Sequence, residues 1–225
     1  MHCGLFGKLP SKRDFVSYQM ERPFLDLWEG WLQTAIAVSR EALVENWQAA
    51  FLNAPLWRFW LGSDIAGSTT AGVLMPSVDK IGRYFPLSIC AGAPAGSRIN
   101  PPPSPALDSW LQSVEQFLLD LLEDQLPDEP GNLLANLPFP ETSPHAGPAT
   151  SFLEQPVHTA WNGDIGALFR QLEAEDHSTL HGRRSYWWTM GGRDRPPQIC
   201  VRHGMPNPSL FTSFLTGRFD GVIAP

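Results

Sequence analysis

Long apolar runs are missing from this chain: no stretch approaches the ~20 residues that a bilayer-spanning helix needs. The first 25 residues carry Lys8, Lys12, Arg13, Asp14, Glu21 and Arg22, leaving no uninterrupted apolar segment of signal-peptide length, so a cytoplasmic location is expected. Basic clusters are also absent. With 16 Lys and Arg against 23 Asp and Glu, the formal charge is −7. That disfavours a surface tracking the phosphates of a nucleic acid, although a small basic pocket remains open. Cysteine is scarce, and Cys3, Cys90 and Cys200 form no CxxC pair, which excludes a disulfide framework and suits reduced thiols. Charged residues make up only 17% of the chain while hydrophobic ones reach 43%, a balance that builds a core rather than a disordered polymer.

Assembled catalytic motifs are missing too. GLFGKLPS, residues 4 to 11, has glycines ahead of Lys8 but lacks the four-residue spacer and the hydroxyl of a phosphate-binding loop. It reads instead as an N-terminal strand, Leu5 to Leu9, stopped by Pro10, with glycines where other backbone comes close. There is no GxSxG elbow. Ser77 and Asp79 suit turn capping, and Cys90 sits inside an apolar strand as an inert buried thiol. His177 and His181 stand four apart with Asp176 beside them, yet the zinc-protease glutamate is missing, and histidines at a helix C-terminus explain the pair better. No catalytic residue, metal or cofactor is expected.

What is present is a regular alternation of periods. Phe24, Leu25, Trp28, Trp31, Leu32, Ala35 and Ile36 fall on one helical face behind Pro23. A second amphipathic stretch follows, with Leu43, Val44, Trp47, Ala50 and Phe51 on its apolar side, ending at Pro55. From Leu56 to Leu61 both faces are apolar, as in a strand covered on two sides. Turn chemistry over 62–70 leads to strands at Gly72–Met75 and Phe85–Ala91, joined by the polar loop 76–83. Residues 92–105 form a stiff proline-rich connector. A clean helix then runs through Leu107, Trp110, Leu111, Val114, Leu118 and Leu121, with Glu115, Glu123 and Asp124 as a solvated face. A second proline-rich stretch covers 127–155, interrupted by an apolar segment at Leu133, Leu134 and Leu137. A helix is expected over Asp164–Glu175, and a hairpin from Ser185–Met190 and Gln198–His203. The nine tryptophans must mostly be packed. This pattern predicts an α/β (α+β) sandwich, a single domain over residues 1–225, with a mainly antiparallel or mixed central sheet flanked by helices.

Two charged features stand out. Arg58 lies among Trp57, Phe59 and Trp60, so either it stacks on rings and meets a carboxylate or it marks an edge strand; a structural role is favoured over catalysis. Lys8, Arg13, Asp14, Asp79, Lys80 and Arg83 form a mixed-charge patch at one end of the sheet if loop 76–83 folds beside the N-terminal turn. Ordinary turn polarity is the alternative.

GLFGKLPSKRDF, the W-x-x-W-L of Trp28 to Leu32, Ser39-Arg40, Ala54 to Phe59 and the block Gly72 to Leu87 resemble the TagF family, accessory proteins of bacterial type VI secretion. Further likeness lies in Ser185 to Trp188 with Gly191, and in Gly204-Met-Pro206 before Phe211 and Leu215. Similar proteins often carry Gly where this chain has Arg13 before Asp14. The resemblance implies a longin-like α/β sandwich and a cytosolic, non-enzymatic, post-translational repressor. It also implies a forkhead-associated (FHA) scaffold protein as partner and a functional link to the pathway's Ser/Thr phosphatase. The six residues of the charged patch are then candidates for partner binding. Rival readings are a sensor of small anions or nucleotides, with Lys8 and Arg83 as its positive charges, and a metal-dependent hydrolase using His177 and His181.

Overall fold

The computed structural model describes residues 2–123, 129–144, 180–192 and 195–219. Its centre is an antiparallel seven-stranded sheet, built from β1 (Gly4–Gly7), β2 (Val16–Tyr18), β3 (Trp57–Leu61), β4 (Thr70–Met75), β5 (Leu87–Gly92), β8 (Arg184–Thr189) and β9 (Gln198–His203) in the order β2-β1-β5-β4-β3-β8-β9. β6 (Ser97–Ile99) and β7 (Thr142–Pro144) form a separate ribbon.

Side chains alternate across the pleat, and here both faces are apolar. Leu5, Trp60, Val73 and Ile89 face one layer, formed by α4 (Pro105–Leu122) and α5 (Pro130–Leu134). Phe6, Phe59, Leu74 and Trp187 face the other, formed by α1 (Arg22–Leu43), α2 (Trp47–Leu52) and α6 (Leu210–Thr216). The expected sandwich is therefore observed, and its sheet is an open one with edges at β2 and β9.

Tryptophans fix the layers because each indole offers a large apolar face and one N–H that must find an acceptor. Trp28 donates to Ser88 Oγ at 2.9 Å, Trp31 to the Pro206 carbonyl at 2.8 Å and Trp57 to the Phe214 carbonyl at 3.1 Å. Trp60 donates to the Ile99 carbonyl and Trp110 to the Pro138 carbonyl. Trp47 donates to buried Ser39 Oγ, while the Arg40 guanidinium stacks 4.3 Å from its ring. Gly72 makes room for this packing: a Cβ there would lie 2.2 Å from the Ile89 carbonyl oxygen and 2.6 Å from the Phe59 ring.

Several expectations are corrected. The first helix runs on to Leu43, and the chain then breaks at Val44, where φ is 46°. That break rotates the following segment, so Trp47 and Phe51 are buried while Val44, expected on the apolar side, is 72% exposed. Turn 62–70 contains a one-turn helix, α3 (Ser63–Ala66). The connector 92–105 contains β6, which long-range pairing with Thr142–Pro144 stabilises where local sequence gave no strand signal. Phe85 precedes β5 instead of starting it. The helix expected over Asp164–Glu175 lies outside the described residues.

Glu115 belongs to no solvated face. Arg58 points from β3 towards α4 and holds Glu115 in a two-pronged ion pair, Nε to Oε1 at 2.7 Å and Nη2 to Oε2 at 2.8 Å, with Asp108 3.5 Å from Nη1. The Arg58 side chain is only 5% exposed, so its charge would be stranded without that carboxylate. Glu115→Ala should cost about 2–3 kcal/mol in urea unfolding, and the double variant Arg58→Met, Glu115→Leu should recover most of the loss.

Candidate functional site

The six residues of the charged patch meet at the end of the sheet where β1 and β4 stop and β2 and β5 start. Gly7 ends β1 with φ 138°, and its missing Cβ allows the chain to pass against the Pro86 carbonyl. Lys8 then turns inward and is 4% exposed. Its backbone carbonyl accepts a hydrogen bond from Ser77 Oγ at 2.7 Å, fixing the N-terminal segment to the loop that follows β4.

Asp79 organises this loop. One carboxylate oxygen, Oδ1, accepts the backbone N–H groups of Ile81 (3.1 Å) and Arg83 (2.8 Å), closing a tight turn over Gly82. The other, Oδ2, receives the Lys8 ammonium at 2.5 Å and Arg83 Nε at 2.6 Å. Arg83 Nη2 donates onward to the Arg13 carbonyl and lies 3.8 Å from Asp14 Oδ1. The Lys80 N–H donates to the Lys12 carbonyl at 2.9 Å, and the Lys12 ammonium pairs with Glu129 at 2.8 Å. Residues 8–14 and 77–83 are thus one hydrogen-bonded unit centred on a buried carboxylate.

Burial pushes the Asp79 carboxyl up. The Lys8 ammonium, the Arg83 N–H and guanidinium and the Ile81 N–H outweigh it and hold the group well below the usual carboxylate range. Asp79 therefore stays ionised at neutral pH.

Burial sorts the candidates into two kinds. Lys8 and Asp79 are enclosed and support the turn from within, whereas Arg13, Asp14, Lys80 and Arg83 are exposed. Among the described residues, the Arg13 and Lys80 side chains make no ion pair or hydrogen bond. Two apolar neighbours escaped the sequence reading: Phe15 is 46% exposed and Ile81 is 59% exposed. Phe15 stacks on Phe6 and meets Phe85 edge to face, with the Lys8 ammonium 4.9 Å from its ring centre. The only hint in the sequence was a large apolar residue within each polar turn, which by itself is ordinary.

The rival sites fare differently. Lys8 and Arg83, the pair considered for an anion, already share Asp79. The His181 ring nitrogen Nδ1 lies 2.8 Å from the Tyr186 hydroxyl, and burial together with Arg184 and Arg98 pushes its pKa down. His177 lies outside the described residues. Among those described, no three His, Cys, Asp or Glu side chains gather as a metal site. Cys3, Cys90 and Cys200 are free and buried, and burial raises the Cys3 thiol to about 11.

Because the folded pKa of Asp79 is depressed, its contribution to stability is present above the unfolded value of about 3.9 and is lost as the pH falls below it. Asp79→Ala should lower the melting temperature at pH 7 by about 10 °C, since it strands the Lys8 ammonium. The gap between the variant and the parent should narrow on acidification, as measured by melting curves from pH 7 to pH 2.5.

A search of curated proteins finds no match. Among solved structures, the crystal structure of PA0076 from Pseudomonas aeruginosa PAO1 is similar, with a TM-score of 0.76 and 28% identity over 99% of this chain and 97% of that one. No helix among the described residues is long and apolar enough to cross a membrane. A sequence model of the TagF N-terminal domain, described as type VI secretion system-associated, matches residues 4–136 and so contains the Lys8–Asp79 unit. The chain belongs to this TagF N-terminal family.

Proposed function

We propose that this protein is a non-enzymatic, post-translational repressor of type VI secretion, acting in the cytoplasm by sequestering a component of the apparatus. The FHA scaffold is the partner that family resemblance suggests, with a functional link to the pathway's phosphatase. Repression of this kind works by mass action: the protein must bind the free partner and be abundant enough to compete for it.

The observation supporting this reading is the exposed tip, where Phe15 and Ile81 stand among Arg13, Lys80 and Arg83 on a turn clamped from below. Apolar anchors within a ring of charge are what a specific protein contact requires, and a rigid turn loses little entropy on docking. The tip carries Lys12, Arg13, Lys80 and Arg83 against the exposed carboxylates Asp14 and Glu129, so it is locally positive on a chain of net charge −7. A partner surface with an acidic rim and an apolar socket fits it. The enclosed Lys8 and Asp79 serve that surface by holding its shape.

Arg13→Glu with Lys80→Glu should weaken capture of the FHA scaffold at least tenfold in a titration of the purified proteins and leave the melting temperature within about 1 °C, because neither side chain has a partner to lose among the described residues. Ile81→Asp should do the same. Unchanged binding in both variants would place the contact elsewhere.

A further inference from the structure

At the opposite end of the sheet the chain forms a half-open cavity of about 640 Å³, a size suited to a small molecule. Its lining includes the apolar Met20 and Phe24, the polar Ser68 and Thr70, and two charged side chains, Glu21 and Arg98. Ser97 and Arg98 of β6 form part of that lining, and the ribbon is held in place by Ile99, whose N–H donates to Thr69 Oγ1 at 2.8 Å and whose side chain is completely buried. Pleat alternation puts the neighbouring Arg98 on the opposite side of this ribbon.

Arg98 is electrostatically incomplete. Its Nε and Nη1 atoms are buried and have no hydrogen-bond partner, and among the described residues no carboxylate pairs with it. An arginine cannot relieve that state by losing its proton, as a buried lysine or histidine can. Arg58, the more deeply buried of the two, meets a carboxylate at 2.7 Å and 2.8 Å instead. The two arginines differ in one other respect: Arg98 borders a cavity large enough for an acceptor to come from outside.

We infer that this cavity is a binding site for a small oxyanion, a compact molecule carrying a carboxylate or phosphate group, held by Arg98 at the rim of the cavity between β2, the start of β4 and β6. The bound oxyanion supplies the acceptor that the guanidinium lacks, while Met20 and Phe24 receive the apolar remainder of the ligand. This site is separate from the docking tip and stands whether or not the tip binds the scaffold.

The test titrates the full chain with inorganic phosphate, adenosine monophosphate and citrate, followed by calorimetry and thermal shift. At least one probe should bind saturably and raise the melting temperature by about 5 °C or more at a hundred times its dissociation constant. A response to the phosphate-bearing probes alone identifies a phosphate ligand, and a response to citrate alone a carboxylate. Arg98→Gln should abolish the response, and without ligand it should melt no lower than the parent because it removes an uncompensated charge. Lys80→Glu should leave the response intact. The site is refuted by silence from all three probes, by a response that survives Arg98→Gln, or by an Arg98→Gln protein that melts several degrees lower on its own.

Discussion

The Asp79 carboxylate is the point on which the charged end of the molecule depends. Its two oxygens accept four donors, two from the backbone of its own turn, one from Arg83 and one from the enclosed Lys8. A carboxylate removed from water is unfavourable unless its lone pairs are met, and here the donors that meet them come from two chain segments about seventy residues apart. Satisfying one buried charge therefore fixes the N-terminal turn against the loop after β4. What projects from that base, Arg13, Asp14, Phe15, Lys80, Ile81 and Arg83, is carried on two segments tied to each other, with Arg83 and Phe15 adding contacts of their own.

The two-faced sheet imposes the other constraint. With no face left to water, the central strands are apolar on both sides and most polar groups within them are paired internally, the Trp187 indole N–H being an exception. Ser88 illustrates this on β5: it receives the Trp28 indole N–H and donates to the Phe6 carbonyl at 3.1 Å, linking α1 to two strands. Arg58 illustrates it on the α4 side. The family-like blocks acquire physical meaning in this way: Trp28 and Trp31 are anchored indoles, Ser39 and Arg40 seat Trp47, and Pro206 supplies the acceptor for Trp31.

The ends of the sheet differ in their electrostatics. At one end the cations outnumber the carboxylates, yet the buried ones are paired and the free ones are solvated, an arrangement suited to meeting a macromolecular surface. At the other, the Arg98 guanidinium borders a concave space and forms no ion pair among the described residues, an arrangement suited to a small ligand. Lys8 and Arg83, the cations that sequence offered to an anion, are already engaged by Asp79, whereas Arg98 keeps two buried nitrogen atoms without a hydrogen-bond partner. Sequence could not separate these arginines, because pairing is decided by which remote side chains come within about 3 Å.

Hydrophobic period carried most of the architecture. Trp28 to Ile36 and Leu107 to Leu121 specified helices because apolar residues three and four apart can be buried only on a helical face. Leu56 to Leu61 specified a strand covered twice because both parities are apolar. The sequence also located the loop 76–83, since Pro, Gly and charge together permit neither helix nor strand. Tertiary structure decided the rest. The exposure of Val44 follows from a backbone break, the pairing of Glu115 with Arg58 from the docking of α4, and the strand at Ser97–Ile99 from a partner more than forty residues away. The division of the charged patch into a buried support and an exposed surface belongs to the same class: local sequence sets the period and the turns, while desolvation of a particular charge depends on everything packed around it.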